Sequence, residues 1–297
     1  MVKTESNNTS FIAVLMSSVF FGTVTTFVAL ANDHGVGLIT QLVMRLTLAI
    51  PFVVLTAGAL NGGQSLVIQR RDIPTFLGGG LLIFLLFSTY MAAVVIGTPI
   101  VAVVFLSNTS AIWSLVLGRV ILREEITRRK LWSLLGIMVG ILFLSAPWAA
   151  HFTVSTGEGL ALINGFLFAP YLILVRKKTA SYEPLTLTAG FFGAAALMLI
   201  AFVPIITPFC GCGGVALNLD GDQWLLMLGL ALVGTTIPFV FLNTGLKHIQ
   251  ASVAGILNLA NPVVATILSV AVLGQVVEVN QIIGGVLIML SIMNLRR

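Results

Sequence analysis

Charge is what this sequence has least of. Only 8% of its 297 residues are Asp, Glu, Lys or Arg, and 58% are hydrophobic; a soluble domain carries roughly 25% charged residues. So few charges cannot cover a water-facing surface, which excludes a soluble globular protein and makes the chain an integral membrane protein. Cysteine is nearly absent too. Cys210 and Cys212 share one Phe-Cys-Gly-Cys-Gly-Gly stretch, where a bond between them would close a strained ring, so they are read as two loop thiols. A metal site needs more ligands than this pair, and the three histidines, His34, His151 and His248, are scattered over different ends. No metal and no cofactor is expected. The chain contains no GxxxxGK[ST] loop, no HExxH and no GxSxG, so ATP-driven transport, zinc-dependent hydrolysis and nucleophile-elbow chemistry have no carrier. It is not read as an enzyme.

What is present is a succession of long apolar runs. A window of about 19 residues predicts ten spans, near 11–31, 36–58, 74–95, 99–121, 131–149, 157–175, 184–206, 224–243, 249–273 and 279–295. At about 20 residues per span, ten spans use about 200 residues and leave no room for a sizeable soluble domain. Turn and breaker residues separate the runs: Asn32-Asp33-His34-Gly35, Asn61-Gly62-Gly63, Gly97-Thr98-Pro99 and Gly211 to Asp222. The first run lacks a small-residue cleavage site and is read as a retained span.

The few cations are placed systematically. Of 15 Lys and Arg, all but Arg45 fall at one alternating set of span ends, whereas the opposite connections hold Asp33, Glu158, Asp220, Asp222 and Glu278. The formal charge of +5 is therefore a topology signal rather than a sign of nucleic-acid binding. By the positive-inside rule the basic face is cytoplasmic and both termini lie there, with residues 1–10 forming a cytoplasmic N-terminus. The sequons at Asn8 and Asn108 then fall in the cytoplasm and within a span, where neither is glycosylated.

The chain divides near residue 149 into two similar halves, 11–149 and 150–297. Shifting by 150 positions lays Thr98 to Asn108 over His248 to Asn258 and makes the two asparagines coincide. Five spans per half reverse the entry side of the second, so the expected fold is all-α, with ten transmembrane helices from two inverted five-helix repeats. That arrangement recurs in secondary transporters, which hold substrate near the midplane between repeats.

Several motifs resemble the EamA-type members of the drug/metabolite transporter superfamily. They are Arg45 within Met-Arg-Leu-Thr-Leu-Ala, Arg123-Glu-Glu-Ile-Thr127 closing the fourth span, and Gly136-Ile-Met-Val-Gly140 in the fifth. In the second half they are the stretch from Ala251 to Ala265, Leu273-Gly-Gln, and Gln281 to Ile288. The resemblance implies ten helices from a duplicated five-helix unit and a transport activity. Asn261 and Gln275 stand where family members often carry Glu, so both departures remove a carboxylate and argue against a carboxylate relay for protons.

Arg45 is the one charged residue well inside a span, where a central arginine costs roughly 2.5–3.5 kcal/mol on insertion scales. Two roles are open to it. Its planar fork can clamp a substrate carboxylate, or it can anchor backbone carbonyls or Gln41 inside the bundle. Tyr90, Asn108, Asn164, Tyr171, Asn243, Asn258 and Asn261, with Thr25, Ser107 and Trp113, supply neutral polar groups and aromatic faces at membrane depth. Five asparagines in hydrocarbon require partners, either across helices or in a polar cavity. Pro170 and Pro238 free backbone carbonyls in the sixth and eighth spans. Arg123, Glu124 and Glu125 begin a mixed-charge cluster with Arg128, Arg129 and Lys130, read either as a solvated helix end or as a gate, with Glu125 the nearest group for proton coupling. Gly136-xxx-Gly140 permits close helix approach, within the chain or in a homodimer through the fifth and tenth helices.

The expected function is secondary transport of a small metabolite across the cell (inner) membrane by alternating access. The leading substrate class is an amino acid or related carboxylated solute, exported. The alternative is uptake or exchange of a neutral or phosphorylated metabolite, or a lipid-handling or channel-like role. The expected partners are the small-molecule substrate and the lipid bilayer.

Overall fold

A computed structural model describes residues 2–61, 66–145, 155–210, 214–273 and 278–296. Cys212, Gln275 and His151, and the conformation of the Cys210 side chain, lie outside what it describes.

Each predicted apolar run coincides with one helix or with a broken pair. In the first half they are α1 (Val2–Phe21) with α2 (Val24–Asp33), α3 (Leu38–Asn61), α4 (Ile73–Val95), α5 (Ile100–Ser107) with α6 (Ser110–Ile121), and α7 (Arg128–Ser145). In the second they are α8 (Thr156–Lys178), α9 (Pro184–Cys210), α10 (Gly221–Ala231) continuing into α11 (Ile237–Gly245), α12 (Ala251–Asn258) with α13 (Asn261–Leu273), and α14 (Val279–Arg296). Among the described residues, eight stretches, 20 to 26 residues long, are apolar and long enough to cross a bilayer. The fifth and tenth runs, α7 and α14, are 18 residues each, and Arg128, Arg129 and Lys130 shorten the apolar part of α7. The chain is thus an all-α, multi-pass membrane protein. Its outer surface fits that setting: Leu55, Ile200, Leu225 and Leu290 stand exposed on separate helices, an apolar belt for lipid.

Local chemistry sets the helix ends. Glycines with positive φ, Gly35 at 77° and Gly97 at 86°, turn the chain after α2 and α4. Ser155 with Glu158, and Asp220 with Gln223, form capping boxes at the starts of α8 and α10, which gives these two acids a structural use at the less basic face. The first helix begins at Val2, inside the stretch expected as a cytoplasmic tail.

The breaks inside runs matter most. Between α5 and α6, the Asn108 Nδ2 donates to the Val104 carbonyl at 2.7 Å and the Thr109 hydroxyl to that of Leu106 at 2.7 Å. The Val104 and Leu106 carbonyls also accept the backbone N–H groups of Asn108 and Thr109, at 3.1 and 3.2 Å, so side chains compete with the helical ladder for its last carbonyls where α5 ends. Gly165 of α8 presses on this break: a Cβ there would meet the Ser107 carbonyl oxygen at 2.8 Å. The corresponding break, between Asn258 and Asn261, precedes Pro262, which suits the first turn of a new helix.

The helices α7 and α14 form an extensive pair. A Cβ on Gly140 would lie 2.8 Å from the Gly284 carbonyl oxygen, and Gly136 faces Ser291. The small-residue face of the fifth run is therefore covered by α14 of the same chain, and a second copy pairing through these helices would meet their other faces.

Candidate functional site

A cavity of about 110 Å³ with both polar and apolar walls lies inside the bundle. Its walls come from both halves of the chain. Arg45 on α3, Tyr90 on α4, Asn108 at the α5–α6 break, Asn164 on α8, and Asn258 and Asn261 at the α12–α13 break supply its polar groups. Phe21, Phe87, Phe168 and Phe239 supply its apolar faces. A recess of about 40 Å³ adjoins it beside Thr25, Ser107 and Gly22. No Asp or Glu lines either space among the described residues.

Arg45 is 3% exposed and is held by a neighbouring helix. Its Nε donates to the Thr235 hydroxyl at 2.7 Å and its Nη2 to the Gly234 carbonyl at 3.3 Å. The cause lies in the Leu232–Thr236 segment joining α10 to α11, a π turn. Pro238 has no N–H to offer the carbonyl four residues earlier, that of Gly234, and the guanidinium takes its place. The Thr235 hydroxyl passes its proton to the Leu230 carbonyl at 2.7 Å, leaving a lone pair for Arg45. The guanidinium carbon also sits 3.8 Å over the Phe87 ring, where cation–π attraction offsets part of the desolvation. Gln41 is elsewhere engaged, its Nε2 donating to the Val36 carbonyl. Both sequence-level roles remain open to this residue. The backbone anchor is present, and Nη1 has no hydrogen-bond acceptor among the described residues.

The asparagines are individually oriented. Asn164 spends its Nδ2 on the Leu86 carbonyl at 2.7 Å and the Thr89 hydroxyl at 3.2 Å. Asn108 spends its Nδ2 on Val104, as described. Because a carbonyl acceptor can be met only by the amide nitrogen, both side chains are fixed with Oδ1 as the uncommitted atom. Asn258 Oδ1 is buried with no partner among the described residues. Tyr90 and Thr25 hydroxyls pair at 2.9 Å between α4 and α2.

Two expected site residues stand apart. Tyr171 is fully buried and donates to Asn243 Oδ1 at 2.8 Å, while Asn243 Nδ2 donates to the Thr188 hydroxyl at 2.9 Å. This chain ties α8, α11 and α9 together behind Phe239, whose ring lies between it and the cavity, 5.5 Å from the Tyr171 ring. Trp113 stands on the outer surface, 39% exposed, against Phe166.

The mixed-charge cluster does specific work at the far end of α12. Glu124 is 8% exposed. Its Oε1 accepts the Ala251 N–H at 2.7 Å, and its Oε2 accepts the Ser252 N–H at 3.0 Å and the Ser252 hydroxyl. A carboxylate from the first half thus caps a helix of the second, favoured by the helix dipole. Arg123, with φ of 56°, bends the chain to aim it. Lys130 Nζ donates to the Glu125 carbonyl at 2.7 Å, to the Ser252 hydroxyl at 2.9 Å and to Gln250 Oε1. Burial lowers the proton affinity of this ammonium, and Glu124 and Glu125 partly restore it. Nearby, Lys178 Nζ meets Asp72 at 2.6 Å and Arg176 donates to the Leu246 and Lys247 carbonyls. Glu125 takes part through its backbone carbonyl and through the charge of its carboxylate. Lys130, Phe87 and Thr235 escape a sequence reading: the first looks like a topology cation, the others like ordinary span residues. Only the Gly-Thr-Thr-Ile-Pro run hinted at an irregular turn.

The chain is thus a multi-pass helical bundle with an internal cavity lined by one buried cation among the described residues. It belongs to the EamA-like transporter family, whose model matches residues 8–146 and 155–296. An uncharacterized transporter of Archaeoglobus fulgidus is 25% identical over 281 residues, 95% of this chain and 94% of the relative. An uncharacterized transporter of Bacillus subtilis is 21% identical, covering 97% and 89%. A riboflavin transporter of Brucella anthropi is 25% identical over 44% of each chain. A solved crystal structure superimposes with a TM-score of 0.78 at 18% identity, covering 97% of this chain and 96% of its own, a likeness of fold alone. These relationships make the chain a transporter rather than an enzyme by family.

Proposed function

We propose that this protein is a secondary transporter of the cell (inner) membrane that exports a small carboxylated metabolite, an amino acid or a close relative, by alternating access. The observation that carries the reading is Arg45: a single guanidinium lines the cavity, one edge uncommitted, with no acid lining it among the described residues. An isolated buried cation attracts an anion, and its fork fits a carboxylate. Cavity and recess together approach the roughly 150 Å³ that admits a benzene-sized guest, which suits a small solute.

Ten spans in two inverted repeats are supported by matched elements. The α5–α6 break at Asn108 corresponds to the α12–α13 break at Asn258, and the packing of α4 on α8 and α9 corresponds to that of α11 on α1 and of α10 on α3. Alternating access is supported by the links at the basic end. Glu124 to α12, Lys130 to Gln250 and Ser252, and Lys178 to Asp72 each join the two chain halves, so opening at that cytoplasmic end requires breaking them. With no carboxylate lining the cavity among the described residues, coupling proceeds by exchange or down the solute gradient. Vesicles reconstituted with the purified chain and loaded with a pooled metabolite extract test the reading. Carboxylated solutes should leave the vesicles selectively, and Arg45→Gln should abolish their efflux; selective efflux of uncharged or phosphorylated solutes alone would overturn it.

A further inference from the structure

We propose that Asn108 and Asn164 determine specificity by reading the protonated amine of the solute whose carboxylate Arg45 holds. This rests on the carboxylate reading above and extends it to the other end of the molecule. Two amide groups in a cavity could serve as donors or acceptors, and a flipped amide exchanges the roles. Here the protein has settled the matter. Asn164 gives its Nδ2 to the Leu86 carbonyl and the Thr89 hydroxyl, and Asn108 gives its Nδ2 to the Val104 carbonyl. Turning either amide over would place two oxygens against each other at 2.7 Å. Each side chain is therefore held with a carbonyl oxygen uncommitted among the described residues, and both line the same cavity. Neither oxygen is a buried orphan, unlike Asn258 Oδ1.

The cavity thus offers one fixed donor group, the guanidinium, and fixed acceptors on α8 and at the α5–α6 break. An alkylammonium has donors and no acceptor, and it matches these oxygens; a second carboxylate or a phosphate would face them with like polarity. An acid lining the cavity would attract any cation, whereas neutral amide oxygens accept an ammonium only when its carboxylate pairs with Arg45. The arrangement selects zwitterions over simple acids and over simple amines. A solute lacking the amine leaves desolvated acceptors unpaired, a loss that strongly disfavours such analogues.

The test uses the full-length protein in proteoliposomes. Counterflow of the fastest-exchanged proteinogenic amino acid is inhibited with that amino acid, with its deaminated acid and with its decarboxylated amine. Wild-type protein should be inhibited at least about tenfold more weakly by either analogue than by the amino acid. In Asn108→Ala and Asn164→Ala the ratio for the deaminated acid should fall to within about twofold of one. A general packing defect would lower all rates and leave that ratio unchanged, so an unchanged ratio overturns the assignment while the carboxylate reading stands. If the variants do not fold, the wild-type comparison decides: equal inhibition by the amino acid and its deaminated acid overturns it. Exchange of no carboxylated solute at all removes the underlying function and this inference with it.

Discussion

At the scale of single residues, Arg45 does two things at once. It fills the vacancy that Pro238 leaves at the Gly234 carbonyl, and it lines the cavity. The two roles separate experimentally. Thr235→Val removes the acceptor of Nε but leaves the charge, so thermal stability in detergent should fall by the equivalent of about 1.5–3 kcal/mol, while selection of carboxylated over neutral solutes persists in flux assays. Arg45→Lys keeps the charge but not the planar fork, and efflux should drop by about tenfold or more at matched expression. The sequence made Arg45 and the cavity asparagines legible because groups so costly to desolvate must have partners or water. It could not divide them further. Asn243 and Asn164 look alike in sequence, yet Asn243 closes a buried chain with Tyr171 and Thr188 whereas Asn164 reaches the cavity; the difference lies in which helix each one faces.

Among elements, the half-helices bring polar side chains to the cavity. One turn of residues ends α5 at Asn108 and another ends α12 at Asn258, bringing both asparagines to the cavity while α12 runs back to Glu124 at the basic end. Glu124 is therefore a cap, and its loss should act on α12 as a unit. Glu124→Ala should lower stability by about 1–2 kcal/mol and increase hydrogen exchange at Ala251 and Ser252 specifically; unchanged exchange there would show that the cap is dispensable. Such a contact spans more than a hundred residues of sequence, which is why Arg123, Glu124 and Glu125 read there as a solvated helix end or a gate and not as a cap. The runs themselves were legible, since hydropathy and Gly-Pro punctuation report local constraints. At Pro238 the freed carbonyl was legible, but its bond to Arg45, which comes from another helix, was not.

For the whole molecule, an all-α multi-pass fold of the EamA-like family holds a cavity walled by both chain halves. The charge census predicts which ends share a compartment. Single cysteines at Asp33 and Lys178 in a cysteine-free background should be labelled from opposite sides of the membrane, and labelling of both from one side would contradict the ten-span arrangement. The central claim is that this cavity binds a small carboxylated solute through Arg45. Equilibrium binding of the best-exchanged amino acid to purified, monodisperse protein tests it most directly. Wild type should bind saturably and Arg45→Gln should weaken binding by about a hundredfold; an Arg45→Gln protein that stays monodisperse and binds with wild-type affinity would contradict it.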